Sequence, residues 1–508
     1  MKNNNITTVT ITSVEEKDGI VSVTGDSEGL GLRKVEVIIN GDINRRCVAK
    51  NNADGTWSAE MTVDSNGKYS IEASIRDYSD FNKLRQTTRD DNYFMLDSSS
   101  VWGATVTKHT DGLYYMLFAN WDHHISFSPD WFYFSEIGYA VASKLEGPYI
   151  YKGKALDPSY GNTTHAEPVK WCWNDGEARL NVFHNPTVMK SEKDGKYYLY
   201  FMGTSVDDMS KSHRRSRVGV AYADSPAGPW TVMDKFLLGN VPDGEGEWET
   251  GFSANPSVTE IRREDGSYFY YAIYKAAGIY EGQNICATGY GISDSPLGPY
   301  KRFNAPIMRD TKVGFSVEDC YVWRNNGKYF ALAKDMTKGN WTGHKDGYSY
   351  ALFESIDGEN WALSKNNLAF INEIPWKKGA QKVSHYERSQ LYIEDGIPFM
   401  IFNATTVSGL TPYQNNQSYN VRVPLLGERL AVCFEEITVG DLKDDISDKT
   451  ELTELLHTAE AMSYESLNRE EWKKLKSAML AARMIIAREN AEQKEIDFVA
   501  GILKENLK

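Results

Sequence analysis

From about residue 93 to 438 the chain repeats itself, and this repeat constrains the fold more than any other feature. Five short segments align: Trp102-Gly-Ala-Thr-Val106, His184-Asn-Pro-Thr-Val188, Ala254-Asn-Pro-Ser-Val258, Glu318-Asp-Cys-Tyr-Val322 and Glu387-Arg-Ser-Gln-Leu391. Their starts lie 82, 70, 64 and 69 residues apart. Each is followed by a turn pair: Asp111-Gly112, Asp194-Gly195, Asp265-Gly266, Asn326-Gly327 or Asp395-Gly396. Asp-Gly and Asn-Gly between apolar runs mark hairpins, because these residues accept positive φ. An aromatic-rich strand such as Tyr197-Tyr-Leu-Tyr-Phe201 comes next. A second repeat closes the unit: GYAVASKLEGPY (138–149), GVAYADSPAGPW (219–230), GYGISDSPLGPY (289–300) and a fainter YALFESIDGENW (350–361). Strand–hairpin–strand units without helical spacers predict a mainly β chain, a five-bladed β-propeller over 91–440. Closure of such a ring needs its two ends to pair, and 92–96 and 419–425 are strand-like and placed to do so.

The flanks differ in texture. Residues 1–90 alternate apolar and polar positions, as in Val9-Thr10-Ile11-Thr12 and Val35-Glu36-Val37, broken by Asp54-Gly55 and Asn66-Gly67. This predicts a small β-sandwich. The series DGTWSAEM and GKYSIEASI resembles the immunoglobulin-like modules that bacteria attach to surface enzymes. Residues 445–508 switch to helical spacing, with stripes at Leu452/Leu455/Leu456/Ala459, Trp472/Leu475/Met479/Ala482 and Ile496/Val499/Ile502/Leu503. Three amphipathic helices should pack as a bundle. Residues 472–497 resemble the FIVAR module of Gram-positive cell-surface proteins; the alternative is any short helical bundle docked on the neighbouring domain.

Composition removes whole classes of function. Fifty-six basic against 70 acidic side chains give a net charge of −14, which argues against nucleic acid as partner, since affinity there rests on neutralising phosphates. No apolar run reaches the roughly 20 residues of a spanning helix, so membrane insertion is not expected. Five scattered cysteines, with no CxxC pair, read as single thiols. The start, MKNNNITTVT, carries no apolar leader. The chain is therefore cytoplasmic or begins after a removed leader.

In a propeller the first strand of every blade lines the channel, so the residues opening those strands meet at one funnel. The first column of the repeat holds Trp102, His184, Ala254, Glu318 and Glu387; the second holds Gly103, Asn185, Asn255, Asp319 and Arg388. An apolar column (Val106, Val188, Val258, Val322, Leu391) beside two polar ones suits a packed blade with a functional mouth. Glycoside hydrolysis needs one carboxylic acid and one carboxylate, roughly 6.5–9.5 Å apart for inversion or about 5–5.5 Å for retention. Glu318 and Glu387 open adjacent units and form the natural pair. Asp319 is expected to raise the Glu318 pKa by like-charge repulsion, and Asp122 is a spare base. Trp102 and Trp121 are candidates to stack on a sugar, and His184, Asn185, Asn255, His385 and Arg388 to bond its hydroxyls. Structural roles for each remain open: blade packing, strand starts, or a Glu387–Arg388 ion pair. Lys211-Ser-His-Arg-Arg215 reads as a solvated loop or an anchor for an acidic sugar. Adjacent His123-His124 are poorly spaced for one metal.

The x-[DN]-P-[ST]-[VI] start, the DGKYYLY hairpin and the A-x-S-x-S-P-x-GP-[YW] strand resemble the five-bladed glycosidases of glycoside hydrolase family 43 and its relatives, over most of the middle region. The resemblance implies inversion, with an Asp base, an orienting Asp and a Glu acid. Glu318 occupies the acid's place, although in the fourth unit. The base would fall on Gly103 and the second-unit Asp on Asn185, so the resemblance supplies neither. The expectation is an extracellular or cell-surface glycoside hydrolase of a Gram-positive bacterium, exo-acting on an oligosaccharide or glycan. It needs no cofactor, with a structural calcium ion in the channel left open. The alternatives are a non-catalytic glycan-binding or adhesion protein and a glycoside phosphorylase.

Overall fold

The computed structural model describes residues 7–31, 33–63, 67–97, 99–122, 127–173, 176–207, 216–238, 248–303, 305–406, 418–440 and 447–508. Strands dominate it. The turn pairs and aromatic runs of the repeat form antiparallel four-stranded sheets in chain order. The first sheet is built from Ser99–Lys108, Tyr114–Asp122, Glu136–Ala142 and Ile150–Leu156. Sheets opening with Val182–Lys190, Phe252–Arg262, Val317–Asn325 and Tyr386–Glu394 follow. The last sheet takes its outer strand from far upstream: Tyr93 and Phe94 pair with Val421 and Asn420. The two ends that the sequence suggests for closure therefore share one sheet.

The opening strands of successive sheets touch one another, and the fifth touches the first. Apolar layers fill the gaps between neighbouring sheets. Phe201 and Leu117 lie in one layer, Tyr270 and Tyr200 in the next, and Phe402 and Phe118 join the fifth sheet to the first. The arrangement is consistent with a β-propeller. Two hairpins, Lys170–Trp173 with Gly176–Arg179 and Glu373–Trp376 with Gly379–Lys382, are insertions between sheets. The first lies within the 82-residue interval, the longest of the four spacings. Short helices α1 (Phe81–Leu84) and α2 (Phe127–Phe134) were not legible as periodic patterns.

In the N-terminal region two four-stranded sheets share one apolar core containing Val23, Val37, Trp57 and Ile71. One of their strands comes from beyond the repeat. Glu428–Val439, inside the span assigned to the middle region, runs antiparallel to Gly67–Asp77 from Glu428↔Asp77 to Val439↔Gly67. Ala431, Cys433 and Ile437 pack on the core of that region, and this burial draws the strand away from the units that precede it. The five cysteines are unpaired.

Helices α3 (Thr450–Glu460), α4 (Arg469–Ala487) and α5 (Gln493–Asn506) follow the predicted stripes. Asn468 and Glu471 form a capping box that starts α4. The apolar core of the helices also takes in Tyr115, Val141 and Ile150 of the first sheet. The Tyr151 N–H donates to Ser477 Oγ at 2.9 Å, so α4 supplies an acceptor to the outer strand of that sheet. Among the described residues no helix is long and apolar enough to cross a membrane.

Candidate active site at the start of the opening strands

The second column of the repeat has one backbone signature. Gly103, Asn185, Asn255, Asp319 and Arg388 have φ of 58°, 50°, 52°, 51° and 51°. At each, pairing with the next strand slips, as between His184 and Thr187 or Glu318 and Tyr321. Such bulges re-aim side chains where strands converge. Asn and Asp tolerate the left-handed region better than most residues; Arg388 is held there by its partners.

Those partners form a buried ring. Asn185 Nδ2 donates to Asn255 Oδ1 at 2.7 Å, and Asn255 Nδ2 donates to Asp319 Oδ1 at 2.8 Å. The Arg388 N–H donates to Asp319 Oδ2 at 3.0 Å, while its guanidinium lies 3.8 Å from Asp319 Oδ1 and donates to the Asn185 carbonyl at 3.2 Å. Gly103 completes the circle: a Cβ there would lie 3.3 Å from Asn185 Oδ1 and 3.4 Å from Arg388 Nε. Arg388 thus takes the space beside the first unit where the resemblance leads one to expect a carboxylate. The two Asn amides and Arg388, candidates to hold hydroxyls, bond largely within the ring, while Asn185 Oδ1 and Arg388 Nε and Nη1 are buried without a hydrogen-bond partner. Burial, reinforced by the Glu318 charge, pushes the Asp319 carboxyl up.

One residue earlier the side chains reach the surface. Glu318 and Glu387 remain 22% and 18% exposed, and the nearly buried Lys334 ammonium sits between them, 3.4 Å from Glu318 Oε2 and 2.5 Å from Glu387 Oε1. Lys275 makes a second, close contact with Glu318 Oε1. Burial pushes the Glu318 carboxyl up, but Lys275 and Lys334 outweigh it and hold the group well below its ordinary range. This corrects the expectation that Asp319 raises Glu318: two ammonium contacts beat one buried neighbour, and the upward shift falls on Asp319. Aromatic rings border the cluster. Lys334 lies over Tyr348 at 4.7 Å and Lys275 over Phe315 at 5.1 Å, and both rings are partly open to solvent.

The lysines carry a signal that the column reading missed. Lys275 pairs with Ala254 and Lys334 with Glu318 across the hairpin. The cross-strand partners of the first column form a third column on the adjacent strand: Ala119, Met202, Lys275, Lys334 and Ala404. Two of its members are cationic.

The remaining candidates are elsewhere or covered. Trp102 and Trp121 are buried with Ala119 and Ala404, and neither leaves a ring face for a sugar. His184 stacks under Trp131 of α2 at 4.8 Å and shares a 2.8 Å hydrogen bond between Nδ1 and Ser135 Oγ. Burial, aided by the Arg388 charge, lowers its pKa to about 3, so the ring is neutral packing. His385 is half-buried, and burial with Lys334 lowers it to about 4. Asp122 faces α4: Lys473 Nζ and Arg469 Nη1 lie 3.2 Å from its oxygens, and Ser99 donates at 2.6 Å. None of these groups touches Glu318 or Glu387, which leaves Asp122 outside the cluster. His123–His124 and Lys211–Arg215 lie outside the described residues.

A calcium ion needs six to eight oxygen ligands. The buried ring offers one carboxylate, already faced by the Arg388 guanidinium, and does not fit such an ion. Among the described residues no group of three or more His, Cys, Asp or Glu is placed to hold a metal.

No family model matches the chain, and no curated protein matches it. Solved structures similar to it include glycoside hydrolases at low identity. Zg3597, a family 117 glycoside hydrolase of the marine bacterium Zobellia galactanivorans, is 18% identical with a TM-score of 0.44, covering 73% of this chain and 94% of its own. A thermostable family-43 glycoside hydrolase is 14% identical, with a TM-score of 0.44 over 72% of this chain and 100% of its own. An α-L-arabinofuranosidase of Lactobacillus brevis is 14% identical, with a TM-score of 0.40 over 66% and 94%.

Proposed function

We propose that the five sheets are the blades of one propeller and that the chain is a glycoside hydrolase acting at the Glu318–Lys334–Glu387 cluster. One observation carries the reading: carboxylates from adjacent units converge on a single ammonium while keeping about a fifth of their surface open. Environments that differ between two carboxyl groups divide their roles. Glu318, with two ammonium partners, is the permanent carboxylate, the base toward water if the reaction inverts. Glu387, with one, is the second carboxyl group, and its Gln variant tests it in the role of proton donor. The buried ring immediately beneath favours a closed floor and hence a terminal sugar, and Tyr348 and Phe315 offer ring faces to it.

The test is kinetic. Glu387→Gln should cost about 10²–10⁴ in rate on natural glycans and much less on aryl glycosides, whose phenolate leaves without protonation. Glu318→Gln should cost both substrates alike. Small, equal losses for both variants would overturn the assignment. A second reading has its own support: Lys275 and Lys334, with His385 nearby, suit a phosphate acceptor in place of water. Turnover that requires added phosphate would establish it. Glycan binding without turnover under either condition would favour a non-catalytic binder, in keeping with the missing carboxylate at Gly103.

A further inference from the structure

The stretch between the second and third strands of the first sheet is pinned at both stems. At one stem Asp122 ends Tyr114–Asp122 and accepts a 2.6 Å bond from Ser99. At the other, Glu136 opens Glu136–Ala142; Asn120 Nδ2 donates to it at 2.9 Å and the Lys154 ammonium lies 2.8 Å away. Between the stems α2 reaches across to the second unit. The Phe183 N–H donates to the Ser135 carbonyl at 3.0 Å, and Ser135 Oγ bonds His184 Nδ1. Trp131 stacks on the His184 ring and packs on the cluster of Trp102, Trp121, Ala119 and Ala404. α2 therefore lies on the opening residues of the first two units, one position before Gly103 and Asn185 of the buried ring. Its last residue, Phe134, stays 42% exposed.

The Asp122 stem is held from the far end of the chain. The capping box at Asn468 fixes where α4 begins, and Arg469 and Lys473, four residues apart, fall on one side of it. Both end 3.2 Å from Asp122 oxygens. Arg469 is half open to solvent, whereas the Lys473 side chain is 4% exposed and lies over the Tyr151 ring at 5.8 Å. Taking an ammonium out of water costs free energy that only a well-placed partner offsets. Asp122 is the one carboxylate with which Lys473 pairs among the described residues. Burial pushes the Asp122 carboxyl up, but Lys473, Ser99 and Arg469 outweigh it and hold the group below its ordinary range. The helices attach a second time through Lys144, 2.9 Å from both Glu492 and Glu495, beyond the opposite end of Glu136–Ala142.

From this arrangement we infer that Lys473 is a positioning residue. By holding Asp122 it fixes α2 against the second unit, and α2 forms the wall of the mouth that meets the part of the glycan lying away from Glu318 and Glu387. The helical region is thereby part of the working site and not a detachable appendage. The kinetic consequence rests on the hydrolase reading, whereas the placement of α2 is measurable without turnover.

Kinetics and amide hydrogen exchange on the whole chain test the inference together. Lys473→Met should raise KM about tenfold with kcat kept within about twofold, the mark of lost binding that substrate and transition state share. Exchange over 127–136 should quicken about tenfold while 386–394 keeps its protection. Lys473→Arg should restore both. Asp122→Asn should give the same two shifts, and it serves as the test if Lys473→Met does not fold. Lys144→Met, which loosens the helices at their other attachment, should lower Tm and leave KM and the exchange of 127–136 unchanged; this control separates positioning from docking. Wild-type KM and exchange in the Lys473 and Asp122 variants, or equal shifts in Lys144→Met, would overturn the inference. If the wild type turns over no glycan, with or without phosphate, the hydrolase reading fails, and exchange over 127–136 alone decides whether Lys473 holds α2.

Discussion

Glu318 and Asp319 are neighbours in the chain and face opposite fates. Glu318 lies at the rim with two ammonium groups and stays ionised; Asp319 lies one ring deeper, meets one guanidinium at 3.8 Å, and is pushed up by burial and by Glu318 itself. Desolvation acts on both. The number of cations in contact decides which of them loses its proton readily. The same contrast separates the rings to which they belong. The deep ring is buried and held by internal hydrogen bonds, whereas the rim keeps charged groups partly open. In this molecule the polar column that looks richest in hydroxyl-binding groups is buried and bonded in large part to itself.

The contrast can be broken from either side. Arg388→Ala would leave Asp319 buried without its cation and should cost about 3–5 kcal/mol, read by denaturant unfolding; Arg388→Ala/Asp319→Asn should recover much of the loss. A cost below about 1 kcal/mol for the single variant would show that the ring does not depend on the pair. Lys334→Met strips one of two cations from Glu318 and, among the described residues, the one cation paired with Glu387, at the rim where water still reaches. It should cost about 2 kcal/mol, and an equal or larger cost than Arg388→Ala would reverse the ranking of rim and ring.

Acid sharpens the same distinction. The unfolded His184 binds a proton below its ordinary 6.5 while the folded ring resists until about 3, so its contribution is complete above 6.5 and shrinks as pH falls. Between pH 6 and 5 this should remove about 1 kcal/mol, and His184→Gln should flatten that slope. The lowered Glu318 contributes stability above its ordinary 4.5 that is lost below it. The raised Asp319 works the other way, favouring the fold below 3.8 and losing that contribution as pH rises through its folded value. Smallest is Gly103→Ala: a left-handed φ of 58° costs a side chain about 1 kcal/mol, plus whatever Asn185 and Arg388 must yield. An unchanged Tm would mean that the ring relaxes freely at the first unit.

Much of this was open to inspection in the sequence. Turn pairs and aromatic runs mark the hairpins, and the second column of the repeat has a left-handed backbone in all five units. The helical stripes at Leu475, Met479 and Ala482 are buried as their spacing requires. The partner of Glu428–Val439 was not legible, because strand periodicity specifies two faces but not which edge a strand joins. Trp102, Trp121 and His184 looked like ligand-binding groups because residue type cannot report that Trp131 and a neighbouring sheet cover them. The lysines escaped because they stand on the second strand of each hairpin, outside the aligned segments.

What the sequence determined by itself is local and periodic: alternation, turn chemistry and the return of one pattern about every 70 residues fix strands, hairpins and the order of the units. The charge state and accessibility of each polar group were decided only in three dimensions. Glu318 is an anion, Asp319 resists becoming one and Arg388 occupies the expected place of a carboxylate because of cations and walls delivered from residues tens to hundreds of positions away. Electrostatic energy depends on distance through space and on exclusion of water, and neither quantity is written along the chain.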